Sequence, residues 1–116
     1  MYVVYKNKKL ENLLNDEKQI NKTLEADAKR CMMVLRAIDA AITLSDINSV
    51  PKFRLHDLKG NRYGEYAIDI NKTSGKRLII KPLENDNNIM ESNDYNYIMK
   101  NCRRIIIMEV SSHYEK

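Results

Sequence analysis

The sequence predicts an α+β fold, with two N-terminal helices packed on one face of a mostly antiparallel sheet of four to five strands. Three observations carry this expectation. After one short run of β-formers, the apolar residues of the first half recur at helical spacing. Residues 53–81 fall into short alternating runs separated by turn-forming clusters. Near the C-terminus, Ile105 to Val110 is a continuous apolar and β-branched run that reads as a strand buried on both faces and therefore central. The resulting order β, α, α, β, β, β, β puts helices on one face of the sheet and leaves the other free.

Tyr2 to Tyr5 is the first strand, ended by Lys6 and Asn7. Leu10, Leu13 and Leu14 then fall at i, i+3, i+4 and predict a short amphipathic helix before the break at Asn15-Asp16, where Asp16 suits the N-cap of the next helix. That second helix is predicted as one long element, because Leu24, Ala28, Cys31, Leu35, Ile38 and Ile42 form a single stripe at alternating spacings of four and three. Lys29, Arg30, Arg36 and Asp39 lie off the stripe and face solvent, and Met32, Met33 and Val34 widen its apolar surface. Ser45-Asp46 ends this helix or caps a final turn, and Pro51 closes the connection.

Phe53 and Leu55 alternate with Arg54 and His56, which in a strand sends the first pair to the helices and the second to the opposite face. After a turn at residues 59–62, Tyr66, Ile68 and Ile70 alternate with Ala67 and Asp69. A second turn at residues 71–75 leads to a strand over residues 77–81, completing an antiparallel meander. Residues 82–96 are polar and rich in Asn and Asp, and read as a long loop with a helical turn through Asp94 to Lys100.

At 116 residues the chain is expected to be a single domain, residues 1–116, with the 43% apolar and 31% charged content of an ordinary soluble globular protein. Cys31 and Cys102 are far apart and match no metal-ligand spacing, so two free thiols in a reducing cytoplasm are the simpler reading and a disulfide the alternative. No apolar run approaches the roughly 18 residues that span a bilayer, and the order of MYVVYKNKK is wrong for a secretory signal, so no membrane association and a cytoplasmic location are expected. Nothing indicates a cofactor.

Positive charge is concentrated. Between Lys52 and Lys81 there are eight Lys/Arg and three Asp/Glu, a local balance of +5 in a chain of net +4. His56 lies within that stretch, and a basic field around an ionisable group suits a polyanion. Two distant histidines and two distant cysteines give no metal set, and Cys31 sits on the apolar stripe, where an inert buried thiol is favoured over a Cys-His nucleophile pair. RNA cleavage needs no metal when the ribose 2′-hydroxyl is the nucleophile; it needs a base, cations around the phosphate and an acid for the 5′-oxygen. Lys59, Arg62 and Arg77 are candidate clamps, and His56 with His113 or Tyr114 candidate proton carriers. Arg54, Arg62, Tyr66, Lys76 and Lys81 are candidates for RNA binding. Taken alone, each is more often a solvated or structural side chain.

The run from Arg54 to Ile70, RLHDLKGNRYGEYAIDI, followed by Arg77-Leu78-Ile79, resembles the HigB branch of the RelE/ParE toxin superfamily, with its R-x-H-x-L-x-G-x-R-x-G-x-(Y/W)-(A/S)-(I/M) hairpin leading into a strand that opens Arg-Leu-Ile/Val. Tyr5 to Leu10 and Glu109 to Tyr114 are similar to the corresponding ends of that family. The resemblance implies a RelE-like fold and a metal-independent toxin that cleaves mRNA in the ribosomal A site and is held inactive by a helix-turn-helix antitoxin. By position it implies catalytic roles for His56, Lys59 and Arg77. Many relatives end in Asp-Tyr-His where this chain has Ser112-His113-Tyr114, so His113 and Tyr114 both stand for the terminal catalytic group. A ParE-like gyrase poison, or a degenerate toxin that only binds antitoxin and nucleic acid, is the alternative on the same fold.

Overall fold

The computed structural model describes residues 1–112. Its elements run β1 (Tyr2–Tyr5), α1 (Lys8–Leu14), α2 (Glu17–Leu24), α3 (Ala28–Ala40), α4 (Leu44–Asn48), β2 (His56–Asp57), β3 (Tyr66–Asn71), β4 (Lys76–Leu83), α5 (Tyr95–Asn101) and β5 (Arg104–Ser112). The sheet order is β1-β5-β4-β3-β2. β1 runs parallel to β5 and every other pair is antiparallel. The expected α+β class is present.

Helix starts follow the capping chemistry of the sequence. The Asn7 side chain accepts from Leu10 N–H, Asp16 from Lys18 N–H and Asp94 from Tyr97 N–H, each satisfying an otherwise orphaned donor. All five helices send apolar residues into one cluster, among them Leu10, Ile20, Ile38, Leu44 and Ile98. This cluster meets Tyr66, Ile68, Ile70, Leu78, Ile80, Ile105 and Ile107 of the sheet. Each such Leu or Ile contributes about 1.5–3 kcal/mol by burial. The opposite sheet face carries only a small cluster of Leu58, Ala67 and Ile79, with Met108 against it.

Four expectations need correction. The long second helix is two, α2 and α3, parted by a 3-10 turn at Glu25–Asp27 in which Glu25 has φ +49°. Buried Asp27 accepts from Asn71 Nδ2 (2.7 Å) and Ser74 Oγ (2.9 Å), which ties this break to the β3–β4 turn. The periodicity hides the break because Leu24 and Ala28 are both buried on either side of it. Ile42 lies beyond the end of α3 and is 65% exposed. The connection then forms α4 under a capping box of Thr43 and Asp46, so of the two readings of Ser45-Asp46 the capped final turn holds and the stop does not.

The strand expected over residues 53–56 is a 3-10 turn, Pro51–Phe53, and a left-handed Arg54, with pairing only at His56–Asp57. The burial alternation survives, since Phe53 and Leu55 are buried and Arg54 is exposed. β5 is not buried on both faces. Only Ile105 and Ile107 are buried, because among the described residues the face of the sheet away from the helices has no second layer over it.

Candidate active site

Register defines two rows across the helix-free face. Antiparallel pairing sets His56 opposite Ala67, Ala67 opposite Ile79 and Ile79 opposite Glu109. One step along, Asp69 is opposite Arg77, and Arg77 opposite Ser111. Neighbouring strands lie about 4.8 Å apart, so the long Arg77 side chain and His56 address a common region of this face.

At the edge of that region Arg54 adopts φ +42°, ψ +49°. A left-handed non-glycine residue costs on the order of 1–2 kcal/mol and persists where its surroundings hold it. Here Arg54 Nε donates to Asp69 Oδ2 at 2.8 Å and Nη2 to Oδ1 at 3.4 Å, and the Asp69 side chain is only 7% exposed. The Arg54 carbonyl receives His56 Nδ1 at 2.7 Å. Because Asp69 is engaged by Arg54, Arg77 across the strand from it forms no ion pair among the described residues, and its buried Nε has no hydrogen-bond partner there. A buried guanidinium N–H without a partner is costly, and a guanidinium that no carboxylate holds keeps its charge for an anion.

The other cations are placed differently. Arg62 donates through Nη1 to Glu65 at 2.7 Å and through Nη2 to Glu109 at 2.9 Å, and these hydrogen bonds, the Glu65 one foremost, raise its pKa further. Glu109 reaches Arg62 because of a bulge. Ile80 pairs with Ile107 but Ile79 pairs with Glu109, and the extra Met108 turns Glu109 and Ser111 outward and Val110 toward the core. Lys59 Nζ lies 3.0 Å from Asp57 Oδ2, with its side chain 80% exposed. Lys76 Nζ donates to Ser112 Oγ at 2.7 Å at the far end of β4.

Tyr66 belongs to the helix side of β3. It is buried in the main core cluster, its ring 6.0 Å from that of Tyr95, and burial together with nearby Asp57 pushes its hydroxyl up to about 12. Its edge, with Lys59, Tyr63, Lys81 and Tyr95, lines a cleft of about 790 Å³ at the Lys81 end of β4. Of the residues singled out in the sequence, the helix-free face thus gathers Arg54, His56, Arg62 and Arg77. Lys59, Tyr66 and Lys81 are in the cleft beside it, and Lys76 is at the β3–β4 turn. His113 and Tyr114 lie outside the described residues.

This hairpin, sheet and arginine arrangement coincides with a family match. A model described as RelE-like toxin of type II toxin-antitoxin system HigB matches residues 3–98. The chain belongs to the HigB-like toxin family. Among solved structures, this HigB-like toxin is similar in fold to the YoeB/ParE toxin from Agrobacterium tumefaciens, with TM-score 0.51 and 13% identity over 98% of this chain and 100% of that one. It is also similar to a chain of the YoeB-YefM complex from Staphylococcus aureus, with TM-score 0.52 and 18% identity over 98% of both chains. No curated protein matches it in sequence.

Sequence reasoning about the toxin did not single out Asp69, Glu65 or Glu109. Asp69 carried a signal, as the one carboxylate at an outward strand position between Arg54 and Arg77. Glu109 carried none, since the bulge that presents it is not visible in the run of apolar residues around it. Among the described residues, His, Cys, Asp and Glu form no group of three or more placed to hold a metal ion. Cys31 and Cys102 are both buried free thiols, and burial pushes Cys31 up to about 11. No helix among the described residues is long and apolar enough to cross a membrane.

Proposed function

We propose that this HigB-like toxin is a metal-independent, ribosome-dependent mRNA endonuclease of a type II toxin-antitoxin pair. The observation that carries the reading is that strand register puts His56 and Arg77 on one sheet face without helices, with Arg77 in no ion pair among the described residues. In the proposed reaction His56 removes the proton of the ribose 2′-hydroxyl, and the 2′-oxygen attacks the adjacent phosphorus. The bond from phosphorus to the 5′-oxygen breaks, leaving a 2′,3′-cyclic phosphate. Arg77, assisted by Lys59, offsets the negative charge that builds on the phosphoryl oxygens. The departing 5′-oxygen takes a proton from the tail, at His113 or Tyr114. β5 supports this assignment by carrying the chain past Arg77, through Ser111, to Ser112. Arg54, Lys76 and Lys81 complete the proposed contacts to RNA, while Arg62, tied to Glu65 and Glu109, and Tyr66, buried in the core, brace the fold instead.

A cytoplasmic helix-turn-helix antitoxin is the proposed partner. The family description, which names a toxin-antitoxin system, and the fold likeness to a toxin solved with YefM support it. Expression of the toxin should arrest translation and produce codon-linked cuts in ribosome-bound mRNA, and folded His56→Ala should relieve the arrest. Arrest with intact mRNA and gyrase-dependent DNA damage would instead establish the ParE-like reading. Antitoxin binding without arrest would establish a degenerate toxin.

A further inference from the structure

We infer that Asp69 is a positioning residue for His56, acting through Arg54 to hold the imidazole protonated on Nδ1 with its lone pair on Nε2. The inference rests on the reading of His56 as the proton acceptor, and adds which nitrogen accepts and what keeps it so. The contact at Nδ1 is to the Arg54 carbonyl, 2.7 Å away, and a carbonyl oxygen only accepts. Nδ1 must therefore carry the hydrogen, and in the neutral ring Nε2 is left as the base. An unconstrained imidazole in water prefers the opposite tautomer, so the carbonyl has to be held in place.

That carbonyl belongs to a residue in the left-handed region, which a non-glycine side chain occupies only when its surroundings determine it. The determining contact is the two-point grip of Asp69 on the Arg54 guanidinium, at 2.8 and 3.4 Å. Asp69 is in turn fixed by its place inside β3, two residues beyond Ala67, the register partner of His56. Extending the antiparallel register from His56 and Ala67 brings Arg54 opposite Asp69, so the ion pair closes the end of β2 where backbone pairing has stopped. The carboxylate thus reaches His56 through Arg54 while touching neither the ring nor any RNA.

The test is imidazole nitrogen NMR on the full chain, at a pH where the ring is neutral, with His56→Gln used to assign the signal. Wild type should show a protonated Nδ1 and an unprotonated Nε2. Asp69→Asn should move both signals toward a mixture of tautomers and lower the kcat of mRNA cleavage by up to about 10²-fold with KM retained. Should Asp69→Asn fail to fold, Arg54→Ala, at a half-exposed side chain, removes the same grip and should produce the same spectral change. An Nε2-protonated His56 in wild type, or an unchanged Nδ1 proton in folded Asp69→Asn or Arg54→Ala, overturns the inference. The expected tautomer in a protein that cuts no mRNA upholds the positioning and overturns the endonuclease reading alone.

Discussion

Arg62 and Arg77 share one face of the sheet and differ in almost every other respect. Arg62 is held by two carboxylates from β5 and the β2–β3 connection, so its charge is spent within the protein. Arg77 stands beside a carboxylate that Arg54 has already taken, and its Nε is buried without a partner among the described residues. A count of positive charges treats the two alike. The placement of Glu65, Glu109 and Asp69 decides which guanidinium answers to an external phosphate and which braces the fold.

Substitution at Arg77 should break the comparison most sharply. Arg77→Ala is expected to lower mRNA cleavage by about 10²–10³-fold, the usual cost of removing one donor to a developing oxyanion, while its thermal midpoint stays near wild type because no ion pair among the described residues is lost. Cleavage on programmed ribosomes and a melting curve measure the two sides, and retained activity would mean that the unpaired state of Arg77 has no catalytic meaning.

Arg62→Ala should behave in reverse. Stability should fall by roughly 1 kcal/mol, a value kept low because Arg62 and Glu109 are both partly solvated, and cleavage should change by only a few fold. Denaturant melts of Arg62→Ala beside Arg77→Ala reveal whether the roles are really exchanged. A Glu65→Gln, Glu109→Gln double variant sharpens the point from the other side. Releasing Arg62 should tighten single-stranded RNA binding and steepen its salt dependence by about one unit of slope, read from titrations at several salt concentrations.

The smallest effect concerns Tyr66, on the other side of the sheet. Its raised pKa means that the folded protein keeps the hydroxyl protonated while the unfolded chain ionises near the ordinary tyrosine value of 10.0. The unfolded state therefore binds fewer protons above that pH, and the stability from this group, fully present below about pH 10, is lost as pH rises toward about 12. Tyr66→Phe should flatten this alkaline loss in pH-dependent melts and leave neutral-pH cleavage close to wild type. A large loss of cleavage in a stable Tyr66→Phe would give the hydroxyl a direct role with RNA.

Local pattern made much of this molecule legible. The spacing of Leu10 with Leu14, the Asp16 cap, the helical turn that follows Asp94, and the alternation of Phe53, Leu55, Tyr66, Ile68, Leu78 and Ile80 all depend on neighbours within a few residues, and each matches the structure. Two of the misreadings involve partners far along the chain. The α2–α3 break is tied down by Asn71 and Ser74, more than 40 residues from Asp27. The shortness of β2 accompanies an Arg54 turned out of strand geometry toward Asp69.

By itself, the sequence determined that residues 56–81 form a basic meander with His56 and Arg77 directed away from the helices, because strand parity is a local property. It also determined the family, through the order of residues in that hairpin. Only the tertiary structure decided which cations are neutralised. Ion pairing depends on side chains meeting within about 4 Å, and the bulge at Met108 reverses the parity that would have sent Glu109 inward. That one extra residue in β5 gives Arg62 its second carboxylate, and Asp69, turned toward Arg54, leaves Arg77 without one among the described residues.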